Sequence, residues 1–503
     1  MSLPSWLDPL FDAREMRSAD AWAIEQQGVP SLDLMERAGA GLARAAARLS
    51  RGGRVVILVG KGNNGGDGLV VARLLREEGR AVDVIAAAPL GDLKGDAAAN
   101  LERLPGDPPR EWDGRALGEA GVVVDALLGT GFSGVPREPL AGAIAAINSQ
   151  GAPVLACDVP SGVDAATGEV AGQAVRATAT ATFHGPKIGL HVAPGAHHTG
   201  EMEVVEIGIP RGAPGAAGAG LIADRVLDLV PSRPRDGSKF SSGTVVVAGG
   251  CAGLTGAPTM AALAAMRAGA GYVQLAVPAS TEAVFEVKLT ESMTHALPES
   301  DGAHVAEGAE SVAELAQRAG AIVLGPGIGR SDGAFAFARE VARRVAAPLV
   351  IDADGLNAHA GELEALRARP GPTVLTPHAG ELARLLGTDS EDVAAHRLAC
   401  ARAAAERSGC VVLLKGDDTI VALPGGPVAV SRGATPALAT AGTGDVLSGV
   451  IAAFMAKGLG PFEAAAAGTQ AHARAGREAA ARHGADHTIA SDVIDALPVA
   501  LTR

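Results

Sequence analysis

The sequence predicts an α/β protein of two domains, each a doubly wound, mostly parallel sheet. Three observations predict it. Short β-branched runs without polar alternation recur along the chain, as in parallel strands buried on both faces, and alanine-rich helical stretches separate them. The length of 503 residues exceeds what a single hydrophobic core usually serves. Near the middle, Pro210–Gly220 reads PRGAPGAAGAG, a stretch with no apolar periodicity, after which the strand–helix alternation restarts. The two halves differ in loop motifs and length, so the pattern is a fusion and not a repeat.

Composition narrows the function. A hydrophobic content of 48% supplies sizeable cores, and the 67 glycines gather in short turns after apolar runs. The net charge of -13, with no Lys/Arg cluster, excludes a nucleic-acid surface but leaves small phosphorylated ligands open. Cys157, Cys251, Cys400 and Cys410 are widely spaced in or beside apolar stretches, which reads as reduced thiols, neither a disulfide framework nor a zinc site. The first twenty residues include Asp8, Asp12 and Glu15 and lack a continuous apolar core, and no run approaches bilayer-spanning length. A soluble cytoplasmic protein without a membrane partner is expected.

In the first half, helices are predicted over Arg14–Gln27 and Leu32–Leu49. They are followed by a strand at Val55–Val59, a crossover helix at Asp67–Glu78, and strands at Val122–Ala126 and Val154–Asp158. Right-handed βαβ units follow from that alternation. The expected division is a first domain over 1–212, a linker over 213–223 and a second domain over 224–503. The second domain's strands are predicted at Thr244–Ala248, Tyr272–Val277, Ala321–Leu324, Leu349–Ala353, Thr373–Thr376 and Val411–Lys415.

The first strand runs into Gly60-Lys61-Gly62-Asn63-Asn64-Gly65-Gly66-Asp67-Gly68 and then a helix. Glycines allow a sharp turn and close approach, and a helix start offers free N–H groups to phosphate. The spacing is neither Walker A nor the GxGxxG fingerprint. An ordinary tight connection is the bland reading, but the Asn-Asn pair and Asp67 favour a site. Two further strand ends face the same rim. Asp125 leads into Leu127-Leu128-Gly129-Thr130-Gly131-Phe132-Ser133-Gly134-Val135, and Asp158 into Val159-Pro160-Ser161-Gly162-Val163-Asp164. Ligands of open α/β sheets bind beyond the carboxyl ends of strands, so three such ends can form one pocket. Asn64, Asp125 and Ser161 supply only oxygens, suited to a hard cation; capping is the alternative for Asp125 and Asp158.

In that order, Gly-Asn-Asn-Gly-Gly-Asp-Gly, Asp-Ala-Leu-Leu-Gly-Thr-Gly and Asp-Val-Pro-Ser-Gly-Val-Asp resemble the NAD(P)H-hydrate epimerase family over roughly residues 14–210. The resemblance implies a Rossmann-like domain with potassium on Asn64, Asp125 and Ser161. It also implies that the hydrated dinucleotide contacts Asn63 to Asp67, Gly129 to Val135, and Asp158. The hydrate carries a hydroxyl at C6, beside the ring nitrogen, so inversion by ring opening or hydroxide loss needs proton transfer. Asp158 is the candidate acid/base. Lys187, in Thr182-Phe183-His184-Gly185-Pro186-Lys187, is a second candidate, with a surface lysine as the alternative.

In the second half, Gly442-Thr443-Gly444-Asp445 opens a run in which Val446, Leu447, Val450, Ile451, Phe454 and Met455 recur at helical spacing. A helix start can stabilise a transferring phosphoryl group, and Asp445 is placed to accept a proton from the attacking hydroxyl; an N-cap aspartate is the alternative. Four other motifs follow strands. They are the Gly325-Pro326-Gly327-Ile328-Gly329 loop, Thr376-Pro377-His378-Ala379-Gly380-Glu381, Lys415-Gly416-Asp417-Asp418-Thr419, and the Asp352/Asp354 pair, which serves magnesium or structure. Together with Lys239–Gly243 and Thr255–Pro258, this set resembles the ribokinase-like superfamily and, within it, the ADP-dependent NAD(P)H-hydrate dehydratase, over roughly 224–500.

That resemblance implies that Ala257, Gly327, His378 and Asp445 contact the hydrate. Lys415, Gly416, Asp417, Asp418, Thr419 and Gly444 would contact an adenine nucleotide brought with magnesium. His378 as a buried imidazole is the alternative. Ala437 and Ala441 stand where the family carries glycine, which demands ordinary φ there. The implied activities are epimerisation of the R and S hydrates, and conversion of the S form to NAD(P)H, AMP and phosphate with ADP as donor. A homo-oligomer acting on small molecules is expected. The other readings are a pyrimidine or thiazole kinase and a nucleotide-sensing first domain.

Overall fold

The computed structural model describes residues 3–50, 52–210, 212–213 and 217–502. Of the expected linker 213–223, residues 214–216 lie outside the described residues. The chain divides into two compact units, one built around Pro9–Ala219 and the other around Gly220–Arg503 together with Pro4–Asp8. Against the expected 1–212 span, the Pro4–Asp8 segment therefore packs with the second unit. The strand it begins, Leu7–Leu10, lies beside Ala219–Ile222 at the end of the larger sheet, where it covers an otherwise open edge.

The sheet of the first unit has seven strands. Its order is Arg110–Glu111, Val82–Ala86, Val55–Val59, Val122–Ala126, Val154–Cys157, Ala179–Phe183, Glu201–Val205, and all pairs are parallel. The strand order reverses between Val55–Val59 and Val122–Ala126, which opens a crevice at their carboxyl ends. Val55, Ile57 and Val59 point to one core, shared with the Ser31–Leu49 and Asn63–Glu77 helices, while Val56 and Leu58 point to another beneath Leu140–Asn148. Two-sided burial is why these strands read as unbroken apolar runs.

The larger sheet has eleven strands. Met293–Leu297, Tyr272–Pro278, Thr244–Ala248, Ala321–Leu324, Leu349–Ile351, Thr373–Leu375 and Val411–Leu414 follow one another in parallel. Ile420–Ala422 and Val428–Val430 then add antiparallel, ahead of Ala219–Ile222 and Leu7–Leu10. Its order reverses between Thr244–Ala248 and Ala321–Leu324. Among the described residues, no helix is long and apolar enough to cross a membrane.

Several predicted boundaries move by one or two residues, and one moves by a full turn. The crossover helix begins at Asn63 and not at Asp67, with Gly62 as its N-cap, so the Asn-Asn-Gly-Gly phrase is the helix's first turn. Glycine is required there by closeness: a Cβ on Gly65 would lie 2.0 Å from the carbonyl oxygen of Gly60.

Candidate functional site

At the first unit's switch point the helix start places Asn63 outward and Asn64 inward. The Asn64 amide donates to the carbonyls of Leu128 and Cys157 at 2.8 Å each, tying the helix to the ends of two strands. Asp125, fully buried, accepts from Ser161 Oγ at 2.6 Å, Ser161 N at 2.8 Å and Leu127 N at 3.3 Å. Ser161 Oγ in turn accepts from Leu128 N at 2.9 Å. The three predicted oxygen ligands thus share one hydrogen-bonded knot around Leu128. Burial pushes the Asp125 carboxyl up to about 6 against the pull of Ser161 and Leu127, because every partner is neutral. Among the described residues no group of three His, Cys, Asp or Glu could hold a metal, so any cation here would rest on this mixed set.

Asp158 lies beside that knot with φ 65°, a left-handed conformation that is strained for a residue with a Cβ. Lys187, expected as either catalytic or a surface lysine, is fully buried. Its Nζ lies 2.5 Å from Asp158 Oδ1 and donates to Thr182 Oγ1 at 2.9 Å and the Phe183 carbonyl at 2.8 Å. Phe183 N and Thr182 Oγ1 also donate to Asp158 Oδ1, at 3.1 Å each, and Thr130 Oγ1 donates to Oδ2. Burial raises the Asp158 carboxyl, but Lys187 and these donors outweigh it and hold it below the usual range. The capping alternative for Asp158 gives way to an internal ion pair. Gly129, Thr130, Gly131, Phe132, Ser133, Gly134 and Val135 form the partly to fully exposed loop over this carboxylate.

In the second unit, three glycine-rich turns converge where the strand order reverses. Gly250 N donates to the Pro326 carbonyl at 2.9 Å, and a Cβ on Gly327 (φ 67°) would lie 2.5 Å from the Leu254 carbonyl. This brings Ala257, in the first turn of the Gly256–Arg267 helix, near the Gly325–Gly329 loop. That helix packs on Thr443–Ala456, whose N-cap is Gly442 at φ 93°. Asp445 therefore sits inside the first turn and is not the cap. No protein hydrogen bond among the described residues reaches its carboxylate, which burial and Asp352 raise to about 7 against the opposing charge of Lys415.

Lys415 crosses this site. Its Nζ lies 3.0 Å from Asp352 Oδ1 and 3.8 Å from Glu381 Oε2, and a Cβ on Gly444 would lie 3.4 Å from it. Asp352 Oδ2 accepts from Ser448 Oγ at 2.5 Å, while Asp354 Oδ1 accepts from Arg330 and Asn357 at 3.0 Å each. Both carboxylates are thus engaged by protein donors. His378 is not a buried imidazole; it caps the Ala379–Leu386 helix. Its Nδ1 accepts from Gly380 N at 3.0 Å and Glu381 N at 3.3 Å, which leaves the ring half exposed with Nε2 carrying the proton. In the Lys415-Gly416-Asp417-Asp418-Thr419 loop, Asp418 is buried against Arg397 at 2.7 Å, a pair that shapes the turn.

The Lys239–Gly243 phrase lies elsewhere, ahead of the amino end of the Thr244–Ala248 strand, where Lys239 packs over the Tyr272 ring at 4.6 Å. Neither Ala437 nor Ala441 is among the residues of positive φ; Gly442 carries the left-handed turn. Sequence reasoning missed Ser448 and Arg397 as supports. The former's only signal was its place four residues after Gly444; the latter's is a long-range pairing that no local pattern encodes.

The family described as NAD(P)H-hydrate dehydratase matches residues 245–499, and that described as YjeF-related protein N-terminus matches residues 31–189. A bifunctional NAD(P)H-hydrate repair enzyme Nnr of Salinibacter ruber is 42% identical, covering 97% of this chain and 95% of its own. Its counterpart in Moorella thermoacetica is 41% identical, covering 98% and 96%. Among solved structures, an ADP/ATP-dependent NAD(P)H-hydrate dehydratase of Bacillus subtilis shows 26% identity over 57% of this chain and 98% of its own, with a TM-score of 0.48.

Proposed function

This chain belongs to the family of bifunctional NAD(P)H-hydrate repair enzymes, and from that premise we propose how its residues divide the work. It is both an isomerase, interconverting the R and S hydrates of NADH and NADPH, and a lyase that dehydrates the S form. Relatives matching along nearly the whole chain set aside the vitamin-kinase alternative and a merely sensing first domain. The expected spans 1–212 and 224–503 would carry the epimerase and the dehydratase, with Pro4–Asp8 as a structural part of the latter.

The observation that carries the dehydratase assignment is the Asp445 carboxylate, unbonded in the first turn of its helix and raised to about 7, with Lys415 across from it. Asp445 takes the proton of the S hydrate's C6 hydroxyl as that oxygen attacks the terminal phosphate of an adenine nucleotide. The amides at Gly442–Gly444 and the Lys415 ammonium stabilise the moving phosphoryl charge. Phosphate is a better leaving group than hydroxide, so the ring nitrogen's lone pair expels it, and loss of a proton from C5 of the resulting iminium forms the C5=C6 bond and restores the dihydropyridine. With ADP as donor the products are NAD(P)H, AMP and phosphate. Ala257, Gly327 and His378 would hold the hydrate, and Gly416, Asp417, Thr419 and Gly444 the nucleotide, on a turn shaped by Asp418.

Asp352 and Asp354 are held by protein donors, so magnesium would arrive on the nucleotide's phosphates and supply charge neutralisation there. In the first unit, a buried carboxylate with neutral partners and two neutral oxygen donors fits potassium on Asn64, Asp125 and Ser161. Asp158 and Lys187 face the C6 centre under the Gly129–Val135 loop, and Asn63 to Asp67 line its other side.

The test is Asp445→Asn assayed with S hydrate, ADP and magnesium by recovery of reduced-nicotinamide absorbance. Dehydration should fall by about 10²–10⁴-fold, while R/S interconversion persists. In the parent, activity should rise with pH to a plateau above about 7, since only the ionised carboxylate accepts a proton. A variant as fast as the parent would sink the assignment.

A further inference from the structure

Inversion at C6 needs a proton taken and a proton given, and the first unit's switch point holds two buried carboxyls in opposite surroundings. Asp158 is paired with Lys187 at 2.5 Å and receives Phe183 N, Thr182 and Thr130, so it rests as a carboxylate and serves as acceptor. Asp67, in the helix that starts at Asn63, is covered to the same degree, 6% exposed for each. Its carboxyl has no cation and no amide donor among the described residues; the one hydrogen bond to it is the weak one from the Cys157 thiol, at 4.0 Å to Oδ2. A buried carboxyl without such partners keeps its proton.

We propose that Asp67 is the proton donor that complements Asp158 in the epimerisation, delivering its proton to the ring nitrogen as the C6–N1 bond opens. This deepens the epimerase reading above and rests on it. The Asp158 carboxylate takes the C6 hydroxyl proton, the O–H pair becomes the second C6–O bond, and the C6–N1 pair moves onto N1, which takes the Asp67 proton. The open form is an aldehyde with N1 as a secondary amine. Rotation about C5–C6 presents the other carbonyl face. Reversal of each transfer closes the ring and returns both protons, so no co-reactant is consumed.

The groups facing Asp67 support its resting state. Burial raises its carboxyl well above the usual range, and the charges of Asp158, at the end of the Val154–Cys157 strand, and Asp20, on the Ala13–Glu25 helix, raise it further; only Lys187 opposes. The Cys157 thiol is itself raised by burial and stays neutral.

The experiment uses the full chain with R hydrate and no nucleotide, following conversion to S hydrate across pH for the parent, Asp67→Asn and Asp158→Asn. Asparagine matches the neutral acid in size and charge but does not donate a carboxylic proton. Asp67→Asn should slow interconversion by about 10²-fold or more, keep the parent's unfolding temperature, and erase the fall in rate that the parent shows at alkaline pH. A parent-like rate and pH profile would overturn the proposal. So would a large rise in unfolding temperature, because it would mean that Asp67 rests charged beside Asp158 and Asp20 and that asparagine relieves the repulsion. If Asp158→Asn is also as fast as the parent, the epimerase reading itself fails; if only Asp67→Asn is, the second proton comes from elsewhere.

Discussion

Lys187 shows how much one side chain can decide. Fully buried, it owes its place to Asp158, Thr182 and the Phe183 carbonyl, and Asp158 owes its ionised state to Lys187. Replacing it, as Lys187→Met, leaves a buried carboxylate uncompensated and should destabilise the first unit by about 3–5 kcal/mol, read by urea unfolding. The pH dependence should also change sign. In the parent the Asp158 value is lowered on folding, so the stability it lends is present above the unfolded value and lost as acid reaches the folded one. In the variant that value rises on folding, so stability should decline as pH increases through the unfolded value. A variant with the parent's acid limb would contradict the ion pair's role. The lysine was legible in the sequence as a residue of interest. Its burial was not, since the Thr182–Leu190 stretch reads equally well as a surface turn.

At the scale of elements, the informative features are strand ends and the helix starts they face. The predicted bounds of Val55–Val59, Val122–Ala126, Thr244–Ala248 and Ala321–Leu324 match the structure because burial on both faces leaves a continuous apolar signature. Ala179–Phe183 and Glu201–Val205 gave no such signal: the first alternates alanine and threonine, and the second is half exposed. Where the Ala321–Leu324 and Leu349–Ile351 strands end side by side, Gly325 has φ 120° and a Cβ on it would lie 2.0 Å from the Asp352 carbonyl. Gly325→Ala should cost about 3 kcal/mol of stability in the second unit. It should also lower dehydration while R/S interconversion persists, both measurable on one preparation. Unchanged unfolding and dehydration would show that the two strand ends are less closely apposed than here.

At the scale of the molecule, the two family matches fall in separate compact units, yet the units are not simple halves of the sequence. Trp6, 5% exposed, packs with its ring tilted against Phe462 at 5.4 Å between ring centres, and Asp8 pairs with Arg225 at 2.6 Å, all within the second unit. Trp6→Ala should therefore lower the unfolding temperature of the dehydratase unit, at about 3–5 kcal/mol for a buried aromatic. Epimerisation should be nearly unaffected. Loss of epimerisation with an unchanged dehydratase would reverse that assignment.

The sequence alone determined the two α/β sheets, the break near Pro210–Gly220, and the motifs at strand ends, because apolar periodicity and glycine turns are local properties of the chain. Tertiary structure decided what those motifs touch. It put Lys187 on Asp158, Lys415 on Asp352 and Pro4–Asp8 in the second unit. Each of these joins residues distant in sequence, and burial and charge pairing at such range depend on packing that no local pattern records.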